Sequence, residues 1–414
     1  MNLLTEVPDP RAAGWEHVLF KAADDISLSE ALYQKINDRY DTLQDALRAT
    51  NHPLLKSAHV FPQGSIRLRT AITPCGTSDE LGTVDADAVI WLEHAGDASA
   101  ADVLGAIEER FSESSRVQAP IEQLRRGIRI VYADENPGFH IDVTPARNIA
   151  TNFNECGHGR LVVPDRKLKD WKASAPIDYC AWLEEVAELS LPVLSVEARA
   201  MDSASQEDLP SYSDYISRNV LRAAIKLLKR NRDTWAQQNT DLCADRPISA
   251  VITTLAALAY QSIAKDSNHR FLRPIDALLE VVERMPDFIG GSSGNWLVLN
   301  PVEPSENFAE KWNRPEGANG RRTFDKWHAQ ATNAFSLGLR EHASMESFRE
   351  EVSSAFGVGR NFVKDAVNEI PATFDLPGAS VGTTRSKQLL EAFSGAAVAG
   401  RESQANIQPI KRLG

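Results

Sequence analysis

The chain has 414 residues, of which 43% are hydrophobic and 25% charged, and its formal net charge is -12. This length suffices for two or three domains with full cores, and the net negative charge disfavours nonspecific binding to long nucleic acid. No apolar run approaches the roughly 20 residues of a membrane-spanning helix. Residues 1–20 are acidic and contain two prolines, which is untypical of a signal peptide, and the four cysteines form no CxxC pair. We therefore expect a cytoplasmic protein that does not bind membranes.

The first half of the chain alternates strands and helices. After an N-terminal extension over residues 1–23, an apolar stripe at helical spacing predicts a long amphipathic helix over residues 24–48. The elements predicted next are a strand at 57–61, a strand at 84–92, a helix at 100–111, a hairpin of strands 127–132 and 138–143, and a strand at 161–163. Residues 24–175 are thus predicted to form a core with a mixed sheet and helices.

From residue 176 the pattern changes from strands to helices. The predicted helices cover residues 213–235, 248–263, 274–282, 305–312, 320–339 and 345–356. Residues 176–370 are therefore predicted to be an all-helical second lobe, and residues 371–414, which gain Gly, Pro and Ser, a flexible tail. The predicted fold class is α+β.

Three aspartates on two apolar strands carry the strongest chemical signal. Asp85 and Asp87 are two residues apart on one strand, so their side chains project to the same face, and Asp142 lies on another strand. Clustered carboxylates repel one another unless a hard cation lies between them, and Mg²⁺ prefers oxygen ligands. The pattern predicts that the three hold two Mg²⁺ ions, with Mn²⁺ as an alternative, at a phosphoryl-transfer site where Asp142 accepts the proton of the nucleophile. His140 is interpreted as a structural residue that points to the opposite face.

A second group of residues is predicted to bind the nucleotide. Its members are Gln63, Gly64, Ser65, Lys226, Lys229 and Ser249. The first three form a turn whose backbone N–H groups and hydroxyl would contact the β- and γ-phosphates. The two lysines lie on a basic helix; either one of them reaches the triphosphate as a point charge, or both belong to a solvated face. We favour Lys229, and expect Ser249 to add a hydroxyl from the start of the next helix.

At these residues the chain resembles the nucleotidyltransferases related to DNA polymerase beta, whose signature is a Gly-Ser turn, an Asp-x-Asp pair and a third aspartate. More narrowly, it resembles the bacterial cGAS/DncV-like nucleotidyltransferases (CD-NTases), the second-messenger synthases of CBASS anti-phage systems. The segments that carry the narrower resemblance are 61–67, 84–87, 140–145, 161–164, 176–182, 228–233, 300–302 and 307–312.

The resemblance implies a bilobed cage with the active site in its cleft and a long N-terminal helix as a spine. It implies Mg²⁺-dependent joining of two or three nucleoside triphosphates, ATP among them, into a cyclic oligonucleotide with release of pyrophosphate. The product would act on a downstream effector. Some members end in glycine and are conjugated through it by an E1/E2-like enzyme, so the terminal Gly414 predicts such a partner.

Two other classes of function stay open. The same chemistry would serve a linear oligonucleotide synthase or a transferase that modifies RNA or protein, although the acidic composition disfavours RNA. A degenerate module that only senses nucleotides is disfavoured because all three aspartates are present.

Overall fold

The computed structural model describes residues 10–76, 81–133, 135, 137–148, 161–191, 219–266 and 273–368. The helices are α1 (Pro10–Asp25), α2 (Glu30–Arg48), α3 (Gly64–Arg67), α4 (Ala100–Ser112), α5 (Pro176–Ala187), α6 (Val220–Gln238), α7 (Ser249–Lys265), α8 (Pro274–Arg284), α9 (Gly320–Phe335), α10 (Met345–Phe356) and α11 (Phe362–Asn368). The strands are β1 (His59–Gln63), β2 (Val84–Trp91), β3 (Ile121–Gln123), β4 (Ile128–Tyr132), β5 (Phe139–Asn148), β6 (Leu161–Asp165), β7 (Asp170–Ser174), β8 (Gly290–Ser292), β9 (Asn295–Leu297), β10 (Leu299–Asn300) and β11 (Glu303–Asn307). The predicted tail, with Gly414, lies outside the described residues.

The first seven strands form one mixed sheet. Its path runs β1-β2-β5-β4-β3, with β6 pairing to β5 and β7 to β6. β2 and β5 are parallel, and the other neighbours are antiparallel. The parallel register sets Asp85 opposite His140 and Asp87 opposite Asp142. The α+β fold class with a mixed sheet is therefore confirmed, and the sheet itself aligns the acidic residues.

The N-terminal segment forms two helices where one was predicted over residues 24–48. Helix α2 begins only after Ser29, whose Oγ accepts a hydrogen bond from the backbone N–H of Leu32 at 3.3 Å. Serine is favoured at this N-cap position because its hydroxyl accepts from a backbone N–H group that has no partner within the helix. α1 packs Trp15 into the apolar core of the second half, whereas α2 covers the sheet. The predicted extension of residues 1–23 thus contains most of α1, and the domain boundaries remain predictions.

The prediction that residues 176–370 are all-helical is wrong in one respect: this half is mostly helical but also contains two small hairpins, β8-β9 and β10-β11. The predicted helix over residues 305–312 is wrong, since this segment holds the end of β11 and a 3₁₀ turn. The carboxamide oxygen of Asn307 accepts from the backbone N–H groups of Val298 and Ala309, both at 2.9 Å. Such local side-chain bonds compete with helix formation. No helix among the described residues combines the length and apolar character needed to cross a bilayer.

Candidate active site

A tight turn and a strand position the first two aspartates. β1 leads into α3, which begins at Gly64 with a φ of 62°. A Cβ added to Gly64 would lie 1.9 Å from Oδ2 of Asp87, so this approach requires glycine. The hydroxyl of Ser65 donates to the carbonyl of Asp85 at 3.2 Å, and the hydroxyl of Tyr40 donates to the carbonyl of Asp87 at 2.9 Å. These contacts hold the turn against the acidic strand.

Asp142 reaches the same cluster from β5, where it is paired with an arginine that the sequence did not single out. Arg129, its cross-strand neighbour on β4, donates from Nε and Nη2 to the two carboxylate oxygens of Asp142 at 2.7 and 2.9 Å. A bidentate pair of this kind is strong and fixes the orientation of both side chains. The pairing of two antiparallel strands carries the signal that would have found Arg129.

His140 also belongs to the cluster, so its predicted position on the opposite face is wrong. Residues 140 and 142 are two apart on one strand, and such residues share a face. Nε2 of His140 lies 2.9 Å from Oδ1 of Asp85 and 4.0 Å from Oδ1 of Asp142. Among the described residues, ligand atoms of Asp85, His140 and Asp142 all lie within 4.8 Å of one another.

Burial and like charge act together on the carboxylates. Burial first, and then the charges of Asp85 and Asp142, raise the pKa of Asp87 well above its ordinary value. Burial also raises the pKa of Asp142, although the hydrogen bond from Arg129 opposes this shift. Repelling carboxylates of this kind are relieved by a bound cation, and oxygen donors with one imidazole fit a divalent ion. The residues present therefore fit the predicted metal site.

A cavity of about 600 Å³ opens beside the acidic strand. The predicted site residues that line it are Gln63, Gly64, Ser65, Asp85, Asp87, Lys229 and Ser249. Lys226 is not among the lining residues; its Nζ donates to the hydroxyl of Ser27 at 2.9 Å and is buried. The structure thus separates the two candidate lysines and brings Lys229 to the cavity.

Lys229 and Arg232 place positive charge on the α6 side of the cavity. Nζ of Lys229 donates to the carbonyl of Thr70 at 3.0 Å, and burial lowers the pKa of this amine to about 8. Arg232 was not predicted; its Nε donates to Asp233 at 2.7 Å and its Nη1 to Ser249 Oγ at 3.3 Å. The two basic residues are three apart on one helix and so share a face, which is the signal that could have found Arg232.

Comparison with known proteins agrees with this geometry. Residues 17–187 match the family model described as the Second Messenger Oligonucleotide or Dinucleotide Synthetase domain. The matched region contains the Gly-Ser turn and all three aspartates. Over residues 17–187 the chain is thus similar to the second-messenger synthetases, the class to which the CD-NTases belong. The predicted resemblance to CD-NTases, and with it the prediction of a nucleotidyltransferase, is confirmed.

Two relatives and one solved structure illustrate this CD-NTase likeness. The c-di-GMP synthase of Roseivirga ehrenbergii is 24% identical over 311 residues, which are 73% of this chain and 74% of the relative. The cyclic dinucleotide synthase CdnG of Bradyrhizobium diazoefficiens is 26% identical over 368 residues, covering 84% of this chain and 82% of CdnG. A structure of B. diazoefficiens CdnG in complex with GTP matches with a TM-score of 0.61 at 22% identity, over 87% of this chain and 99% of that one. The structural match shows a shared fold.

Proposed function

We propose that this chain joins nucleoside triphosphates into a cyclic dinucleotide and releases pyrophosphate. One observation carries the proposal: the Gly64 turn and the aspartates at 85 and 87 meet at one cavity that also receives Lys229. Its volume of about 600 Å³ is typical of a small-molecule site. The relatives named as c-di-GMP synthase and cyclic dinucleotide synthase support the same class of product.

The acidic cluster and the cavity beside it divide the work of phosphoryl transfer. Asp85, Asp87 and Asp142 would hold two divalent ions, with His140 as a further ligand. When bound, these ions neutralise the triphosphate and lower the pKa of the attacking hydroxyl. The turn at Gly64 offers backbone N–H groups to the phosphates, and Lys229 adds a point charge.

Asp142 is the proposed proton acceptor. A carboxylate oxygen of Asp142 lies within 4.8 Å of one of Asp85, so it could accept a proton from a hydroxyl held at the same site. Arg129 keeps its carboxylate oriented through two hydrogen bonds, so the acceptor is fixed before substrate arrives. Arg129 is therefore a positioning residue in this proposal.

The biological setting of the proposal rests on the family resemblance. We propose that the product, made in the bacterial cytoplasm from triphosphates that include ATP or GTP, activates a downstream effector in CBASS anti-phage defence. Conjugation of Gly414 by an E1/E2-like enzyme belongs to the same proposal, and this residue lies outside the described part of the chain.

The decisive experiment identifies the product. The purified chain is incubated with Mg²⁺ and labelled nucleoside triphosphates, singly and mixed, then treated with phosphatase and examined by mass spectrometry. We expect a phosphatase-resistant cyclic dinucleotide. Asp85→Asn and Asp87→Asn should each lower its formation by about 1000-fold, because metal ligands contribute several kcal/mol to the transition state. Asp41→Asn is the matched control, since Asp41 is exposed on α2, and it should retain full activity.

Other outcomes contradict the proposal in distinguishable ways. Phosphatase-sensitive linear products would point to a linear oligonucleotide synthase. Label found only on RNA or protein would point to a transferase with a macromolecular acceptor. If the parent chain gives no product and behaves like its aspartate variants, a non-catalytic nucleotide sensor becomes the better explanation.

A further inference from the structure

The wall of the cavity formed by β7 and β11 holds a carboxylate that the mechanism above does not use. Glu306 on β11 lines the cavity, and 8% of its surface is exposed. One carboxylate oxygen, Oε1, accepts from the hydroxyl of Ser174 at 3.0 Å, and the other accepts from Nδ2 of Asn300 at 2.8 Å. Nη1 of Arg126 lies 4.0 Å from Oε1, beyond hydrogen-bonding distance. Glu306 is therefore held mainly by two neutral donors.

These neighbours fix the carboxylate in one orientation without filling its acceptor capacity. Asn300 cannot turn freely because its Oδ1 accepts from the backbone N–H of Val302 at 3.1 Å. A carboxylate offers about four lone-pair sites, and the two neutral donors use two of them. Burying the charge is costly unless further donors arrive. Glu306 is thus a preoriented pair of acceptors at the wall of a ligand cavity.

Aromatic side chains line the same cavity. Tyr179, Phe308 and Trp312 all contribute to its wall. Tyr179 and Phe308 meet edge to face with ring centroids 5.6 Å apart, and the hydroxyl of Tyr179 is tied to Thr254 at 2.8 Å. Flat aromatic surfaces of this kind favour contact with nucleobases, whose faces are also flat and apolar.

The hydrogen-bond donors on each base determine which base a fixed carboxylate can bind. Guanine presents two adjacent donors, N1–H and the N2 amino group. Adenine and cytosine present a ring acceptor beside an amino donor, so one carboxylate oxygen would face a lone pair. Uracil offers a single N–H between two carbonyl oxygens. Only guanine therefore satisfies both oxygens of a carboxylate at once.

We propose that Glu306 is the guanine-selecting residue of this enzyme, accepting from N1–H and the N2 amino group of a GTP bound in the cavity. This inference rests on the proposed nucleotidyl transfer and assigns its substrate class. Loss of one good bidentate contact should change discrimination between bases by about tenfold or more.

The test compares kcat/KM for GTP, ATP and inosine triphosphate in the parent chain and in Glu306→Gln. The parent should prefer GTP over ATP and use inosine triphosphate less well than GTP, because inosine lacks the N2 amino group. In Glu306→Gln one acceptor becomes a donor, which matches adenine, so the GTP-to-ATP preference should fall at least about tenfold. Glu316→Gln, at an exposed position of the same half, is the matched control and should keep the parent's preference.

Nucleotide binding provides a readout independent of turnover. GTP should raise the Tm of the parent more than ATP does, and this difference should disappear in Glu306→Gln. Where that variant fails to fold, Glu306→Asp replaces it. This change keeps the negative charge but moves the carboxylate back by one methylene, so it should weaken the use of GTP without improving the use of ATP. A parent that makes product but prefers ATP, or a Glu306→Gln variant with unchanged preference, overturns this assignment alone. A parent that neither turns over nor binds any triphosphate overturns the proposed function and this inference with it.

Discussion

Asp87 is the side chain on which burial and the charges of two neighbouring carboxylates act in the same direction. All three effects raise its pKa above the ordinary value of 3.8, and they outweigh the opposing charges of Lys229 and Arg129. An arrangement that disfavours its own ionised form costs stability in the absence of a cation. Function and stability are therefore opposed at this residue.

Removal of this charge should stabilise the metal-free protein. Because the folded chain holds the proton of Asp87 more tightly than the unfolded chain does, its stability falls as pH rises from about 4 through the raised pKa. In EDTA, Asp87→Asn should therefore unfold at a higher Tm than the parent, and the difference should widen as pH rises over this window. Thermal unfolding at several pH values measures it, and added Mg²⁺ should shrink the difference. A variant less stable than the parent at every pH in EDTA would contradict this account.

Gly64 permits a prediction with a close control. Gly64→Ala places a Cβ 1.9 Å from the carboxylate of Asp87, so the aspartate must move. The backbone of residue 64 is also left-handed, with a φ of 62°, which an alanine adopts only with strain. A displacement of about 1 Å at reacting groups costs about 100-fold in rate, and we expect a loss of that size in product formation. Gly294→Ala meets a similar backbone conformation, with φ +80° and no atom within 4 Å of the added Cβ, and should keep full activity. Equal losses in the two variants would show that backbone strain alone is responsible.

At the scale of elements, the sequence predicted β1, β2, β4, β5 and β6 from their apolar runs, but it missed β3, β7 and the four short strands of the second half. It could not give the register between β2 and β5, since α4, β3 and β4 intervene in the chain and long-range pairing leaves no local signal. That register is what sets Asp87 beside Asp142 and Asp85 beside His140. The three aspartates were predictable from spacing, whereas Arg129 required the residue-by-residue register of the predicted hairpin, which pairs Arg129 with Asp142.

The helices that were predicted wrongly fail for a local reason. Polar side chains that bond to nearby backbone groups interrupt an otherwise helical pattern, as Ser29 does before α2 and Asn307 does at the end of β11. A prediction from hydrophobic periodicity takes no account of such side-chain bonds. The basic face of α6 was also ambiguous, because Lys226 and Lys229 read alike in sequence although only Lys229 reaches the cavity. Both are buried, and what separates them is their tertiary contacts: Lys226 bonds to Ser27, whereas Lys229 bonds to the carbonyl of Thr70 at the cavity.

At the scale of the whole molecule, α6 joins the part that carries the site to the helical part. Its side chains cross to the first half at successive turns: Lys226 to Ser27, Lys229 to the carbonyl of Thr70, and Arg230 to the carbonyl of Thr73 at 2.7 Å. The bonds of Lys229 and Arg230 reach the segment that follows the turn at Gly64. The position of the turn relative to the basic residues is thus set by one buried helix.

Helix α1 packs against helices of the second half that lie about 320 residues later in the sequence. Nε1 of Trp15 donates to the carbonyl of Phe335 at 2.6 Å, and the indole ring is fully buried. The ring packs directly over Gly338, where an added Cβ would lie 2.4 Å from the indole. Helix α1 is thus an integral part of the second core.

This packing leads to a prediction on global stability. Gly338→Ala should lower the free energy of unfolding by about 1–3 kcal/mol, because the added methyl overpacks a core that cannot relax without moving Trp15. Gly359→Ala is the matched control; its Cβ would have no atom within 4 Å, so its effect should stay within about 0.5 kcal/mol. Urea unfolding followed by tryptophan fluorescence measures both. Coincident midpoints for the two variants would mean that α1 does not contribute to the core in solution, and would favour the prediction of an N-terminal extension outside the core.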